Sequence, residues 1–190
     1  MSISTDKRVV KTRAKLFHAY LQLLKTTDPK DITILQLTTL ASVNRVTFYK
    51  HFQHLANFHE QFMLHYIEEL YDFMKPLNYK PYEKGFEREA LIELFTHIQN
   101  QQDIYRVLFT LETSQPFIQH MLHFFQQKIK KHTEELASFD FPGTGVHYEI
   151  VAWYGISALL GTIHMWIQSD FSYSPTMLAT SFVKLSPNLT

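Results

Sequence analysis

The sequence contains no cysteine, so neither a disulfide scaffold nor a thiolate metal site can form. That absence is compatible with a reducing cytoplasm, the compartment expected for this chain. Long hydrophobic runs are also missing. The nearest, from Ile150 to Ile167, is interrupted by Gly155, Ser157, Gly161, Thr162 and His164, and reads as a buried helix of a soluble protein rather than a membrane span. The opening residues, MSISTDKRVVKTRAKLF, are polar and basic without an apolar core, so no secretory signal is expected in them. A Gly-rich phosphate loop, a His-Glu zinc motif and a nucleophile elbow are all absent. The carboxylate pairs Glu68-Glu69 and Glu134-Glu135 are adjacent in sequence and point apart on a helix, which reads as solvated surface. An enzyme is therefore not expected, and no cofactor is implied. No repeat period or low-complexity tract occurs.

What is present is a chain of 190 residues, 45% hydrophobic, with 16 Phe and 10 Tyr, enough to bury a substantial core. The formal net charge is zero, but its distribution is uneven. Through Phe52 the residues Lys7, Arg8, Lys11, Arg13, Lys15, Lys25, Lys30, Arg45 and Lys50 stand against Asp6, Asp28 and Asp31, roughly +6, leaving roughly −6 for the rest. A basic end on an acidic remainder suits a protein that touches phosphate at one end only; a solvated basic helix has the same composition.

The stretch ITILQLTTLASVNRVTFYKHF, Ile32 to Phe52, carries two short helix signals around a tight turn. Thr33 can cap a helix from Ile34 to Ala41 whose buried face is Ile34, Leu37, Thr38 and Leu40/Ala41. Ala41, Ser42, Val43 and Asn44 supply the turn, with Asn44 as cap of a second helix from Arg45 to Phe52. On that helix Phe48 and Phe52, four apart, pack back, while Arg45, Val46, Tyr49 and Lys50 face outward. Arg45 and Lys50 suit phosphates or guanine edges, Thr47 a phosphate or thymine methyl, and Tyr49 a phosphate hydrogen bond. A plain helical hairpin with solvated polar residues would also carry this pattern, as would a helical protein-protein adaptor that never touches DNA.

Ala41, Ser42, Val43, Asn44, Thr47, Phe48, Tyr49, Lys50, His51 and Phe52 resemble, in order and spacing, the DNA-binding domain of the TetR family of transcriptional regulators. Ser42 departs from the family's usual glycine, and a positive backbone angle there costs a serine more than a glycine. The resemblance implies an all-α protein: a three-helix DNA-binding domain over residues 1–54 and a helical regulatory and dimerisation domain over residues 55–190. It implies a sequence-specific regulator, a repressor on family grounds, that binds a pseudo-palindromic double-stranded operator as a homodimer. It places Lys7, Arg8 and Lys11 beside the DNA backbone, Thr33 and Asn44 at the interface as caps, and His51 against phosphate or packed at the helix end. It also implies an effector, either a small and mostly apolar molecule or a partner protein.

The remaining pattern is helical throughout. A first helix runs from Lys7 to Thr26, ended by Asp28-Pro29, and a connecting helix from Leu55 to Met74. A loop follows over residues 76–85, then helices over 86–100, 104–111, 116–138, 147–169 and 174–185, with a break at 140–145 and Ser114 as a candidate cap. NQQDIYRVLF and MWIQSDFSYSPTMLATSFVKL also resemble the family's C-terminal domain in helix order.

Two further expectations concern the C-terminal region. Val151, Gly155, Ala158 and Thr162 form a stripe of small residues, and each interior glycine costs a helix about 1 kcal/mol, which close approach of another helix would offset. That helix belongs either to the same chain or to a second copy; the resemblance favours a two-fold interface including Met177 and Ser181, with Trp153, Ile156, Leu160, Ile163 and Ile167 toward the core. Of the many aromatics, most are ordinary core, and the resemblance suggests that Tyr66, Phe95, Tyr105, Phe109, Phe117, Met121, Phe124 and Trp153 line an effector cavity. Eleven histidines, including the His120/His123 pair, lack the three or four converging ligands of a metal site, so none is expected.

Overall fold

The computed structural model describes residues 7–74, 88–110, 117–125, 127, 140, 141 and 145–185. The expected 76–85 loop, Ser114 and the helix beyond residue 127 lie outside them. Helices α1 (Lys7–Leu24), α2 (Ile34–Leu40), α3 (Arg45–His51) and α4 (Leu55–Met74) are followed by α5 (Arg88–Asn100), α6 (Gln102–Thr110) and α7 (117–125). The last described elements are α8 (Tyr148–Gln168) and α9 (Pro175–Leu185). Among the described residues the only strands are β1 (Asp140–Phe141) and β2 (Val146–His147), paired antiparallel at the break expected before α8. Where described, the helices start and stop within two residues of their expected bounds.

The chain forms two compact units, one up to His65 and one from Tyr66 on. We call them head and body. The head reaches past His54 because the first part of α4 closes its core. α1 buries Leu16, Phe17, Tyr20, Leu21 and Leu24 along one side. Phe58, fully buried, meets the rings of Phe17, Tyr20, Phe48 and Phe52 at 5.6, 5.2, 5.8 and 4.9 Å. A domain this small has little core, so large aromatic side chains supply much of its apolar burial.

In the body α5 packs on α9 and α6 on α8. Phe95 meets Trp166 at 5.5 Å and Phe109 meets Phe117 at 5.3 Å. By length and composition one described helix, α8, could cross a membrane; its Leu159, Leu160, Ile163, Trp166 and Ile167 are buried within the body. α8 ends in two consecutive left-handed residues, Asp170 (φ 59°) and Phe171 (φ 56°). Their amides return to the carbonyls of Ile167 and Trp166 at 3.1 and 3.0 Å, and the Phe171 ring lies 4.9 Å from that of Trp166. Arg106 of α6 pairs with Asp170 and sits over the Phe171 ring, which offsets the cost of two non-glycine residues in that region.

Inside the body His164 Nδ1 is buried without a hydrogen-bond partner among the described residues, whereas other polar groups are paired. His97 Nε2 and the Tyr105 hydroxyl lie 2.9 Å apart, and Gln101 donates to Glu69 Oε1 at 3.1 Å. Burial, then the neighbouring Glu69, pushes the Tyr66 hydroxyl up to about 12. Burial lowers the His97 imidazole below its ordinary 6.5, Glu69 opposing. In the head, burial likewise lowers His59 below 6.5; its Nε2 has no hydrogen-bond partner and its ring lies 4.9 Å from that of Tyr20. A depressed histidine stays neutral when folded and binds a proton on unfolding, so the unfolded chain holds more protons just below the ordinary value. Stability is therefore present above the ordinary value and is lost as pH falls through the depressed one. Thermal melts should show a midpoint that drops between about pH 7 and pH 5, with His59→Phe flattening the head's share of the slope. A midpoint that rises on acidification would contradict this.

Candidate nucleic-acid interface

The reading element is built from local signals. Thr33 and Gln36 form a reciprocal cap on α2: the Gln36 amide donates to Thr33 Oγ1 at 3.2 Å, and the Thr33 amide to Gln36 Oε1 at 2.8 Å. At the other end the Ser42 and Val43 amides donate to the carbonyls of Thr39 and Thr38 at 3.1 and 3.0 Å, which requires a left-handed residue between them. Ser42 takes that conformation, with φ 52°. Asn44 then caps α3, its Oδ1 accepting from the Val46 amide at 2.8 Å.

Because a serine holds a position that favours glycine, Ser42→Gly should stabilise the head by about 0.5–1 kcal/mol, the relief of left-handed strain exceeding the added entropy of the unfolded chain. Urea titration of the two proteins would measure it. A neutral or negative change would show that the serine side chain compensates.

α3 is anchored by Phe48 and Phe52, 0% and 1% exposed. Its opposite side carries Arg45, Val46, Tyr49 and Lys50, all exposed, with Val46 at 64%. Arg45 Nη2 donates to the Tyr49 hydroxyl at 3.3 Å and its guanidinium lies 5.7 Å from the Tyr49 ring centre, so the two side chains hold one another in place. His51 is half-buried, 6.2 Å from the Phe52 ring. Lys7 is exposed at the start of α1, and Thr33 is exposed as the N-cap of α2. Of the alternatives Leu40 and Ala41 on the inner face of α2, Ala41 turns inward at 7% while Leu40 is 51% exposed.

Beside α3 lies an open concavity of about 400 Å³ lined by Arg8, Lys11, Thr12, Lys15, Ser42, Val43, Asn44 and Thr47. It joins the expected Arg8, Asn44 and Thr47 to Thr12 and Lys15, which the sequence pattern alone does not pick out as interface residues. A signal for them exists all the same: residues 8, 11, 12 and 15 share one face of α1. A basic, hydroxyl-bearing hollow next to a helix N-terminal half can accept phosphate oxygens by charge and hydrogen bonds.

In the body, a partly open cavity of about 10 Å³ is lined only by apolar side chains: Leu70, Leu94, Met121, Phe125, Ile156, Leu159, Leu160 and Ile163. Of the residues expected around an effector, Met121 lines it. Tyr66, Phe95, Tyr105, Phe109 and Phe117 are buried as core, Phe124 is half-buried, and Trp153 is 46% exposed rather than core-facing. On α8 Gly155 is buried within its own chain and Val151, Ala158 and Thr162 are half-buried. The stripe left outside is Ile150, Trp153, Tyr154, Ser157, Gly161 and Met165; on α9 Met177, at 55%, and Ser181 are also exposed. Among the described residues nothing comes within 4 Å of a Cβ built on Gly161, so no described helix of its own chain accounts for that glycine. His120 and His123 on α7 are both exposed.

Residues 88–188 match the family model TetR_C_8, a transcriptional regulator C-terminal region. The chain belongs to the TetR family of transcriptional regulators. Solved structures agree in fold. NalD, the secondary repressor of the MexAB-OprM multidrug efflux pump in Pseudomonas aeruginosa, is 18% identical with a TM-score of 0.64 over 93% of this chain and 94% of that one. The fatty acid degradation regulator FadR from Bacillus halodurans is 12% identical with a TM-score of 0.62 over 98% and 96%. FadR from Bacillus subtilis, solved in complex with stearoyl-CoA, is 14% identical with a TM-score of 0.58 over 93% and 97%. No curated protein sequence matches this one.

Proposed function

We propose that the protein is a homodimeric repressor that inserts α3 into the major groove at each half of a pseudo-palindromic operator and is released by an effector. The observation that carries this reading is the outward face of α3, Arg45, Val46, Tyr49 and Lys50, set beside the basic hollow of Arg8, Lys11 and Lys15. Base-reading groups and phosphate-binding groups then lie side by side, as one element in a groove requires. The exposed stripe on α8 and α9 supports a two-fold contact, since large apolar side chains on a helix face are stabilised by burial against a second copy. Gly161 lets that copy approach closely.

The effector is a small, mostly apolar molecule, favoured by the wholly apolar lining of the body cavity. At about 10 Å³ that cavity must expand to take one, so the ligand selects a different state of the body and changes DNA affinity by its preference for that state. Selection of bound duplexes from a random pool, with and without apolar extracts, tests the whole reading. A half-site repeated with two-fold symmetry is expected. Failure to enrich any sequence overturns DNA recognition, and a sedimentation mass of one chain at micromolar concentration overturns the dimer.

A further inference from the structure

Arg13 belongs to the basic end of the chain by composition, yet it does not line the basic hollow. It lies off the face of α1 that carries Arg8, Lys11, Thr12 and Lys15. Its Nη1 donates to Gln61 Oε1 of α4 at 2.7 Å, and its guanidinium carbon lies 5.1 Å from the ring centre of Phe52 and 5.5 Å from that of Phe17. Phe52 is the residue that closes α3, its amide donating to the Phe48 carbonyl at 2.9 Å, and it is 1% exposed. One guanidinium therefore joins α1, the end of α3 and α4.

We infer that Arg13 is a positioning residue for DNA reading: it fixes the C-terminal end of α3 against α1 and α4, and so sets the angle at which Arg45, Val46, Tyr49 and Lys50 are presented. Only a flat, delocalised cation stacks on a ring through its face while donating from its edge. A lysine at this position keeps the charge and loses that geometry. Specificity depends on side chains meeting base edges in register, whereas phosphate attraction tolerates small rotations of the helix. Loss of Arg13 therefore falls on discrimination between sequences and leaves the electrostatic part of binding alone.

This rests on α3 as the reading element, and the test separates the two. The full chain is measured against a duplex carrying the sequence that the wild type enriches and against a random-sequence duplex of equal length. Arg13→Met should lower the ratio of the two affinities by about tenfold, about 1.4 kcal/mol, with the slope of log affinity against log salt unchanged because every phosphate ligand stays in place. Arg13→Lys should fail to restore the ratio. Gln61→Leu should lower it in the same direction, with the double variant no worse than the stronger single one, as expected of two residues acting through one hydrogen bond. A parallel weakening on both duplexes, with a slope smaller by about 0.9 for each phosphate no longer neutralised, would make Arg13 a phosphate ligand and overturn the inference; full rescue by lysine would overturn it as well. Hydrogen exchange at the Phe52 amide, measured without DNA, should be faster in Arg13→Met and in Gln61→Leu. Unchanged exchange in both also overturns the inference. If the wild type enriches no sequence, the regulator reading fails, and the exchange measurement still decides whether Arg13 holds Phe52.

Discussion

Phe58→Ala is expected to unfold the head. The ring is fully buried at the centre of a cluster with Phe17, Tyr20, Phe48, Phe52 and Phe62, its centroid distances running from 4.9 to 6.4 Å. Removing a buried phenylalanine costs about 3–5 kcal/mol, the sum of lost transfer energy and an unfilled cavity. A domain of the head's size has total stability on the order of 5 kcal/mol, so the loss consumes most of it. Calorimetry should place the head's transition about 15 °C or more below that of the wild type. Phe58→Leu retains most of the volume and should lose far less. If the alanine variant costs under about 1 kcal/mol, the cluster relaxes around the gap and its ring packing is not what holds α1 to α3 and α4.

The second large effect concerns salt. Lys7, Arg8, Lys11, Lys15, Arg45 and Lys50 are exposed in the head. If three or four of them in each copy reach phosphate, a dimer bound as proposed neutralises about 6–8 phosphates, and its affinity should fall about 2,000- to 20,000-fold between about 50 and 200 mM salt. Lys50→Ala removes one cation per copy and should reduce the slope by about 2 in the dimer, weakening enriched and random duplexes alike if Lys50 touches backbone. If it touches a base instead, the enriched duplex suffers more. Fluorescence anisotropy across a salt series reads both quantities. Affinity indifferent to salt would remove the basic hollow from the interface.

The head was largely legible in the sequence because its determinants are local. Thr33 and Asn44 accept from amides two or three residues ahead, and Phe48 and Phe52 share a face by helical spacing alone. Even the strain at Ser42 could be expected, since the hydrogen bonds that end α2 demand a left-handed residue at that place. Arg13 was not legible: composition counts a cation wherever it points, and its partners Phe52 and Gln61 lie far along the chain. α8 was legible as a helix but not in its orientation. Apolar residues surround it on nearly every side, so the period does not say which stripe faces inward. The stripe through Gly155 and the exposed one through Tyr154 and Gly161 differ by a single residue, about 100° of rotation. Most aromatics of the body were readable as buried, Trp153 and Tyr154 being exposed instead, but which of them border empty space depends on how neighbouring rings fill it.

The two tryptophans, Trp153 and Trp166, both lie in the body, and the large buried aromatics of the head are phenylalanine and tyrosine. Trp166 is 2% exposed among Phe95 and Phe171, while Trp153 is 46% exposed. Intrinsic tryptophan emission is consequently a signal of the body alone, and the part of the chain that carries α3 is dark to it. A denaturation curve followed by fluorescence should miss the collapse of the head in Phe58→Ala, whereas helical circular dichroism should record it. For this protein, disagreement between the two probes measures how independently its two units melt.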